Sequence, residues 1–394
     1  MIFQSIQLKE WMMEKITQKK QKRHAHYDLA LAQREQGTLL CPGPCPHMFD
    51  SRKANQAVYG RIKKGETFDY YDALLGLTRM KSRPEMRKAY AGLMAGAEDY
   101  TKMMLQIWVE VCGLRTFKDQ DGVYQEWGPP GDFMMMRIVD FVRELETKHG
   151  IRIVYQHDCK RGDVAGTQTG YMGRFLDDLW EKLRMKFSFL PYDTMNITPY
   201  MGSDVALLKE NKKKNTIPPR GLKLMREKGK GVVIVCKTSN DSGPEYQQEI
   251  ITSRGMSLEE CVAQDVNAWI EKYGLIYDGL SPLGLVVGST HPATGRMRSL
   301  CPTATLWVPG FGNQDGKFEN IMLELIREGE WNGQGAIFGS ETAMMYGYQG
   351  KFGGTGKVAD AEKCAVAARD KFRELEYAAY QRPEVIDAGI KYPF

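Results

Sequence analysis

The chain is expected to be an α/β protein, a TIM (β/α)8 barrel, and three observations predict it. Eight short apolar, β-branched runs recur along the sequence, at residues 38–41, 113–117, 151–157, 194–198, 231–236, 283–287, 304–308 and 336–338. Longer segments of helical period alternate with them, at 133–148, 169–186, 257–272, 318–328 and 359–381. A length of 394 residues suits one such barrel with insertions, a fold that runs from about 200 to over 400 residues. Strands alternating with helices in this number argue for a closed parallel sheet rather than an open one.

Two segments exceed a minimal barrel. Residues 1–36 precede the first strand and read as an N-terminal helical extension. Residues 50–111, between strands one and two, are far longer than a βα unit requires, and their charged, aromatic-rich helical spacing predicts an added helical insertion. Neither looks like a second catalytic domain, so 1–394 is read as a single barrel domain.

Composition narrows the function classes. Fifty-four basic residues are scattered among 49 acidic ones for a net charge of +5, which gives no nucleic-acid footprint. The lysine-rich run 209–214 reads as a solvated loop or helix end. Lys9, Glu10 and Glu14 interrupt the N-terminus, and no apolar run approaches the ~18 residues of a membrane span. A cytoplasmic protein is expected, with no membrane partner. Eight cysteines in a chain this long suggest reduced thiols rather than a disulfide framework. Cys41, Cys45 and His47, in C-P-G-P-C-P-H, lack the second ligand pair of a zinc site, so no metal is expected there. Met134, Met135 and Met136 read as packing surface. The glycine-rich stretch 350–357 lacks the residue order of a nucleotide-triphosphate loop. It follows the last strand, where barrels commonly bind phosphate.

The most informative stretch is 153–167, I-V-Y-Q-H-D-C-K-R-G-D-V-A-G-T. It sets Asp158, Lys160 and Asp163 in a D-x-K-x-x-D pattern at the end of a β-branched run. On a strand of period two, Asp158 and Lys160 share a face, and the chain then turns through Gly162 to present a second carboxylate. Two acids bracket one amine and favour its charged form. Such a group can protonate a forming carbanion while the carboxylates repel an anionic leaving group, which is decarboxylation chemistry.

D-C-K-R-G-D-V-A-G-T resembles the D-A-K-R-G-D-I-x-x-T signature of orotidine 5'-phosphate decarboxylases of the type 2, or mycobacterial-type, subgroup. Four further blocks match that subgroup in order: T-F-K-D-Q at 116–120 with E-W-G-P-P-G at 126–131, I-T-P-Y-M-G at 197–202, K-T-S-N at 237–240 and V-P-G-F-G-N-Q-D-G at 308–316. The likeness spans roughly residues 36 to 345. It implies conversion of orotidine 5'-phosphate to uridine 5'-phosphate, the last step of de novo pyrimidine nucleotide synthesis, without a cofactor. By the same resemblance Lys118 ties carboxylates and substrate ribose into one charge network, Asp158 is the adjacent acid, and Lys160 is the proton donor to the pyrimidine C6. Asp163 and Thr167 match residues given across a homodimer into the neighbouring site. Ser239 matches the reader of the pyrimidine edge, and Pro309, Gly310, Gly312 and Gln314 lie in the loop that reaches base and phosphate.

Two positions depart from the family. Its first strand normally ends G-x-D-P, with the aspartate on the ribose, where this chain has Gly43, Pro44, Cys45 and Pro46. After the eighth strand it has an arginine on the substrate phosphate, where this chain has Thr342. Neither a thiol nor a hydroxyl replaces those charged groups. Lys351 and Lys357 are the nearest replacement cations in sequence. An altered orotate-like substrate, or a silent barrel used as a binding module, therefore stands beside the decarboxylase expectation.

Overall fold

In a computed structural model, the described residues are 24–47, 59, 65–176, 190–208, 220–293, 295–311 and 316–394. All eight expected strands form among them: β1 Leu40–Cys41, β2 Thr116–Gln120, β3 Val154–Arg161, β4 Thr194–Ile197, β5 Gly231–Lys237, β6 Leu283–Val287, β7 Leu306–Val308 and β8 Ala336–Gly339. The eight barrel strands are parallel, those from β2 to β8 each pair with their sequence neighbours, and β8 returns to β1 through Leu40↔Phe338 and Cys41↔Gly339, while a separate small hairpin, Ile250–Ile251 with Met256–Ser257, is antiparallel. The seam between β1 and β2 has no strand ladder. There the Lys118 amide donates to the Pro42 carbonyl (3.1 Å) and the Thr116 hydroxyl to the Leu40 carbonyl (3.1 Å). The result is a nearly closed TIM barrel, and its C-terminal rim collects the strand ends that carry the motifs.

The described part of the N-terminal extension explains why only one mouth is open. Helix Ala25–Gln36 lays Leu29 and Ala32 against Val154, Val233, Val286, Trp307 and Ile337, an apolar plug inside the barrel. Its polar side chains bind the strand starts: His26 Nδ1 lies 2.5 Å from the Ser281 carbonyl, Gln33 donates to Ala336, and Gln36 Nε2 donates to the Thr38 carbonyl (2.8 Å). Gly37, at φ +65°, ends the helix in the left-handed region that glycine tolerates.

Between β1 and β2 the expected insertion contains helices Glu66–Gly76 and Pro84–Glu110. The longer one starts with proline at its first turn, where a missing N–H costs nothing. It buries Glu98, whose carboxylate takes Tyr71 Oη (2.6 Å), Arg137 Nε (2.8 Å) and Lys102 Nζ (2.7 Å). The helix Leu258–Tyr273 shows its start in sequence, because Ser257 and Glu260 close a capping box.

Two expectations need correction. Residues 318–328 do not make one α-helix but short 3-10 turns, Phe318–Asn320 and Met322–Leu325, followed by Gly329–Trp331. Their carbonyls are spent on tertiary donors, Asn320 on the Ala293 amide (2.7 Å) and Glu324 on Arg298 Nε (2.8 Å), rather than on amides four residues ahead. The second strand starts at Thr116, not at residue 113, because Gly113 at φ +69° and the Leu114 amide bound to the Trp108 carbonyl (2.8 Å) still belong to the preceding helix end. Residues 177–186 of the 169–186 helix, and the lysine run 209–214, lie outside the described residues; helix Ala165–Phe175 is the described part of the former.

Candidate active site

A cavity of about 550 Å³ opens at the C-terminal mouth, lined by side chains from all around the rim. Val286, Trp307 and Ile337 form its apolar floor, continuous with the plug beneath. Its chemistry is concentrated on one wall, in a chain of alternating charges.

Lys118, on β2, is 4 % exposed and places Nζ 3.0 Å from Asp158 Oδ2 and 3.0 Å from Glu341 Oε1. Burial alone would lower its pKa, but the two carboxylates outweigh it and hold the ammonium well above the usual lysine range. Asp158 Oδ1 accepts Lys160 Nζ at 2.6 Å and Asn196 Nδ2 at 2.6 Å. Burial would push that carboxyl up, yet Lys118, Lys160 and Asn196 keep it well below the ordinary carboxylate range. Gln120 Nε2 donates to both oxygens of Glu341, each at 2.8 Å.

Local backbone geometry aims Lys160. The β3–β4 register shifts between His157 and Arg161, a bulge in which the amides of Cys159 (2.9 Å) and Lys160 (2.7 Å) converge on Asn196 Oδ1. Lys160 has φ +45°, a left-handed conformation that a non-glycine residue holds only under constraint. Its side chain is 54 % exposed toward the cavity, so the strained residue is the one free to meet a ligand. The following Gly162 is obligatory for space, since a Cβ there would meet Thr198 Oγ1 at 2.1 Å.

Of the residues expected from sequence, Lys118, Asp158, Lys160, Ser239, Pro309 and Gly310 line this cavity together. Gly310 has φ +111°, a conformation that strains any side chain, and a Cβ there would press on Ser289 Oγ at 3.1 Å and Thr290 Cγ2 at 3.2 Å. Asp163 is half-buried beyond the rim, its Oδ1 accepting the Val164 amide (2.7 Å), and Thr167 is exposed; neither lines the cavity of its own chain. Lys351 and Lys357 are exposed and also outside the lining. Gly312 and Gln314 lie outside the described residues. Cys45 is fully buried, with its thiol pushed well up by that burial, and does not face the cavity. Thr342 does line it. Among the described residues no group of three His, Cys, Asp or Glu side chains is placed to hold a metal.

Sequence reading assigns no role in the site to Glu341, Gln120 or Asn196 and weighs His47 only as a metal ligand, yet all four line the cavity. Glu341 resembles an ordinary acid in the first turn of helix Glu341–Tyr346. The one signal for it was Gly43, where a Cβ would sit 2.4 Å from Glu341 Cγ.

No family model matches the chain. A relative from Caldicellulosiruptor saccharolyticus, named orotidine 5'-phosphate decarboxylase, is 30% identical over 233 residues, which cover 59% of this chain and 68% of that one. The chain belongs to the orotidine 5'-phosphate decarboxylase family. A second member, from Rhodopirellula baltica, is 26% identical over 64% of this chain and 75% of its own. Solved structures agree on the fold. The Leishmania donovani OMP decarboxylase superposes with a TM-score of 0.53 at 21% identity, over 89% of this chain and 98% of that one. The orotidine 5'-monophosphate decarboxylase of Plasmodium berghei reaches 0.58 at 14% identity, over 92% and 100%. Among the described residues no helix is long and apolar enough to cross a membrane.

Proposed function

We propose that the chain decarboxylates orotidine 5'-phosphate to uridine 5'-phosphate, as a cytoplasmic enzyme of the mycobacterial-type subgroup that uses its own charges and no cofactor. The observation that carries this reading is the Lys118–Asp158–Lys160 chain, with ion pairs of 3.0 and 2.6 Å at the open wall of the cavity. With the pyrimidine C6 near Lys160, the substrate carboxylate lies beside Asp158, and two like charges raise the energy of the bound ground state. The C6–carboxylate bond breaks, carbon dioxide leaves, and the electron pair left on C6 takes a proton from the Lys160 ammonium, which solvent restores. Charge fixed in advance stabilises the carbanionic transition state without reorganisation. Ser239 and the loop of Pro309, Gly310, Gly312 and Gln314 would read the base and phosphate.

Asp163 fits a role in a second subunit's cavity. It lies outside its own site and next in sequence to exposed Val164 (55 %), and Tyr200 (93 %) and Met201 (44 %), shortly after β4, are exposed too, apolar surface of the kind a homodimer would cover.

One observation favours a second substrate. Lys118 and Lys160 are the lysines in the described lining, it contains no arginine, and both lysines are matched by Asp158 and Glu341. An orotate-like substrate without a phosphate would suit that balance. Loss of ultraviolet absorbance with purified protein, measured on orotidine 5'-phosphate, orotidine and orotate in parallel, separates the readings. Turnover of the phosphorylated substrate alone supports the first, and preference for orotidine or orotate replaces it with the second.

A further inference from the structure

We infer that Glu341 is the residue that holds the substrate sugar, accepting a hydrogen bond from a ribose hydroxyl while it anchors Lys118; this rests on the decarboxylase reading above. The position at the end of β1 where the family carries its ribose carboxylate is Cys45, and that thiol is buried away from the cavity. The adjacent strand β8 brings a carboxylate into the same corner. Gly43 makes room for it, because any side chain at Gly43 would collide with Glu341 Cγ and with the Lys118 carbonyl.

Geometry orders the ligand along this wall. Lys160, Asp158, Lys118 and Glu341 follow one another through contacts of 2.6, 3.0 and 3.0 Å. If the reacting carbon lies at Lys160, the atoms next along the chain are the ring nitrogen and the sugar it carries. Glu341 Oε1 receives Lys118 and Gln120, whereas Oε2 receives Gln120 alone, so acceptor capacity remains on a side chain that is 18 % exposed to the cavity. A phosphate has no proton to offer a carboxylate, but a vicinal diol does.

The test compares orotidine 5'-phosphate with its 2'-deoxy and 3'-deoxy analogues in the parent, Glu341→Gln and Glu341→Ala proteins. A hydrogen bond to a charged group predicts that the parent prefers the ribose substrate over at least one analogue by about 10- to 100-fold in kcat/KM. Glu341→Ala should reduce that ratio to roughly 1 to 3, with the near-isosteric Glu341→Gln between the two. Discrimination left at the parental level in a folded variant, or absent from the parent, overturns the assignment; a purely structural role would lower all three substrates together. If the parent does not turn over orotidine 5'-phosphate, the proposed reaction fails on its own, and the same ratios are then read from calorimetric binding of uridine and its deoxy analogues. Absence of uridine binding would remove both.

Discussion

The two faces of β2 and β3 carry nearly the same chemistry to opposite ends. Lys118 and Asp158 point into the cavity, while their neighbours Asp119 and His157 point outward beneath the helices. On the outer face Asp119 accepts His157 Nδ1 (2.7 Å), Tyr155 Oη (2.8 Å) and Tyr192 Oη (2.5 Å), and His157 stacks on the Tyr192 ring at 4.4 Å. Asp121 pairs with Arg161 and stands 3.6 Å from His157 Nε2, too far for a hydrogen bond. The inner network is equally charged, but Lys160 and Glu341 keep part of their surface toward the opening. Charged clusters on adjacent residues therefore differ in function because one is closed by protein and the other awaits a ligand.

Removing the exposed amine should break the inner network most severely. Lys160→Ala loses the proposed proton donor, and general-acid catalysis is worth about 10²- to 10⁴-fold in rate. We expect kcat to fall by that much or more, with uridine 5'-phosphate binding partly kept. Mixing Lys160→Ala with Asp163→Ala subunits should restore some activity if sites are shared, since one site in each mixed dimer would be intact at both positions. Steady-state rates of co-refolded mixtures check both claims, and no recovery despite subunit exchange would confine each site to one chain.

How much of this contrast could be read in the chain alone depends on how local each signal is. The strands announce themselves through β-branched runs, and the D-x-K spacing places Asp158 beside Lys160 because both lie on one strand. The partnership of Glu341 with Lys118 bridges 223 positions and exists only because the barrel brings β8 around to β1. Asn196 is similarly silent in sequence, being one polar residue of T-M-N-I until a bulge on the neighbouring strand turns two amides toward it. The 3-10 turns after residue 318 were hidden for the same reason: apolar spacing is nearly alike in the two helix types, and distant donors decided between them.

The outer network should fail by unfolding rather than by slow turnover. Asp119→Ala would leave His157 and two tyrosine hydroxyls without their shared acceptor, and breaking a buried charged pair typically costs about 3 to 5 kcal/mol. Denaturant unfolding should show a loss of that order while the folded fraction keeps its parental kcat. A large fall in kcat with unchanged stability would mean that the outer cluster tunes the site.

A smaller effect concerns the phosphate. With Lys118 and Lys160 already matched by Asp158 and Glu341, the described residues of the lining offer no further lysine or arginine. The loop after β8 carries Lys351 and Lys357 among glycines. If either closes over the phosphate, Lys351→Ala or Lys357→Ala should weaken uridine 5'-phosphate binding by roughly 1.5 to 3 kcal/mol and leave uridine binding unchanged. Calorimetry on both ligands checks this. Unaltered nucleotide affinity in both variants would place the phosphate elsewhere or favour a substrate that has none.

The smallest expected effect distinguishes the two faces by the sign of their response to pH. Burial would lower the His157 pKa, but Asp119 and Asp121 outweigh it, and the imidazole titrates above its ordinary value in the folded chain. The folded state therefore binds that proton more tightly than the unfolded one, so its contribution to stability is complete below about pH 6.5 and disappears as pH rises through the folded pKa. Asp158 behaves oppositely. Its folded pKa is depressed, so its contribution is present above about pH 4 and is lost as acid takes the pH down through the folded value. His157→Gln should flatten the alkaline side of a stability–pH curve and leave the acid limb intact, whereas Asp158→Asn should flatten the acid limb alone. Unfolding midpoints measured from about pH 2 to pH 9 for both variants would show this, and an alkaline slope that survives in His157→Gln would assign it to another group.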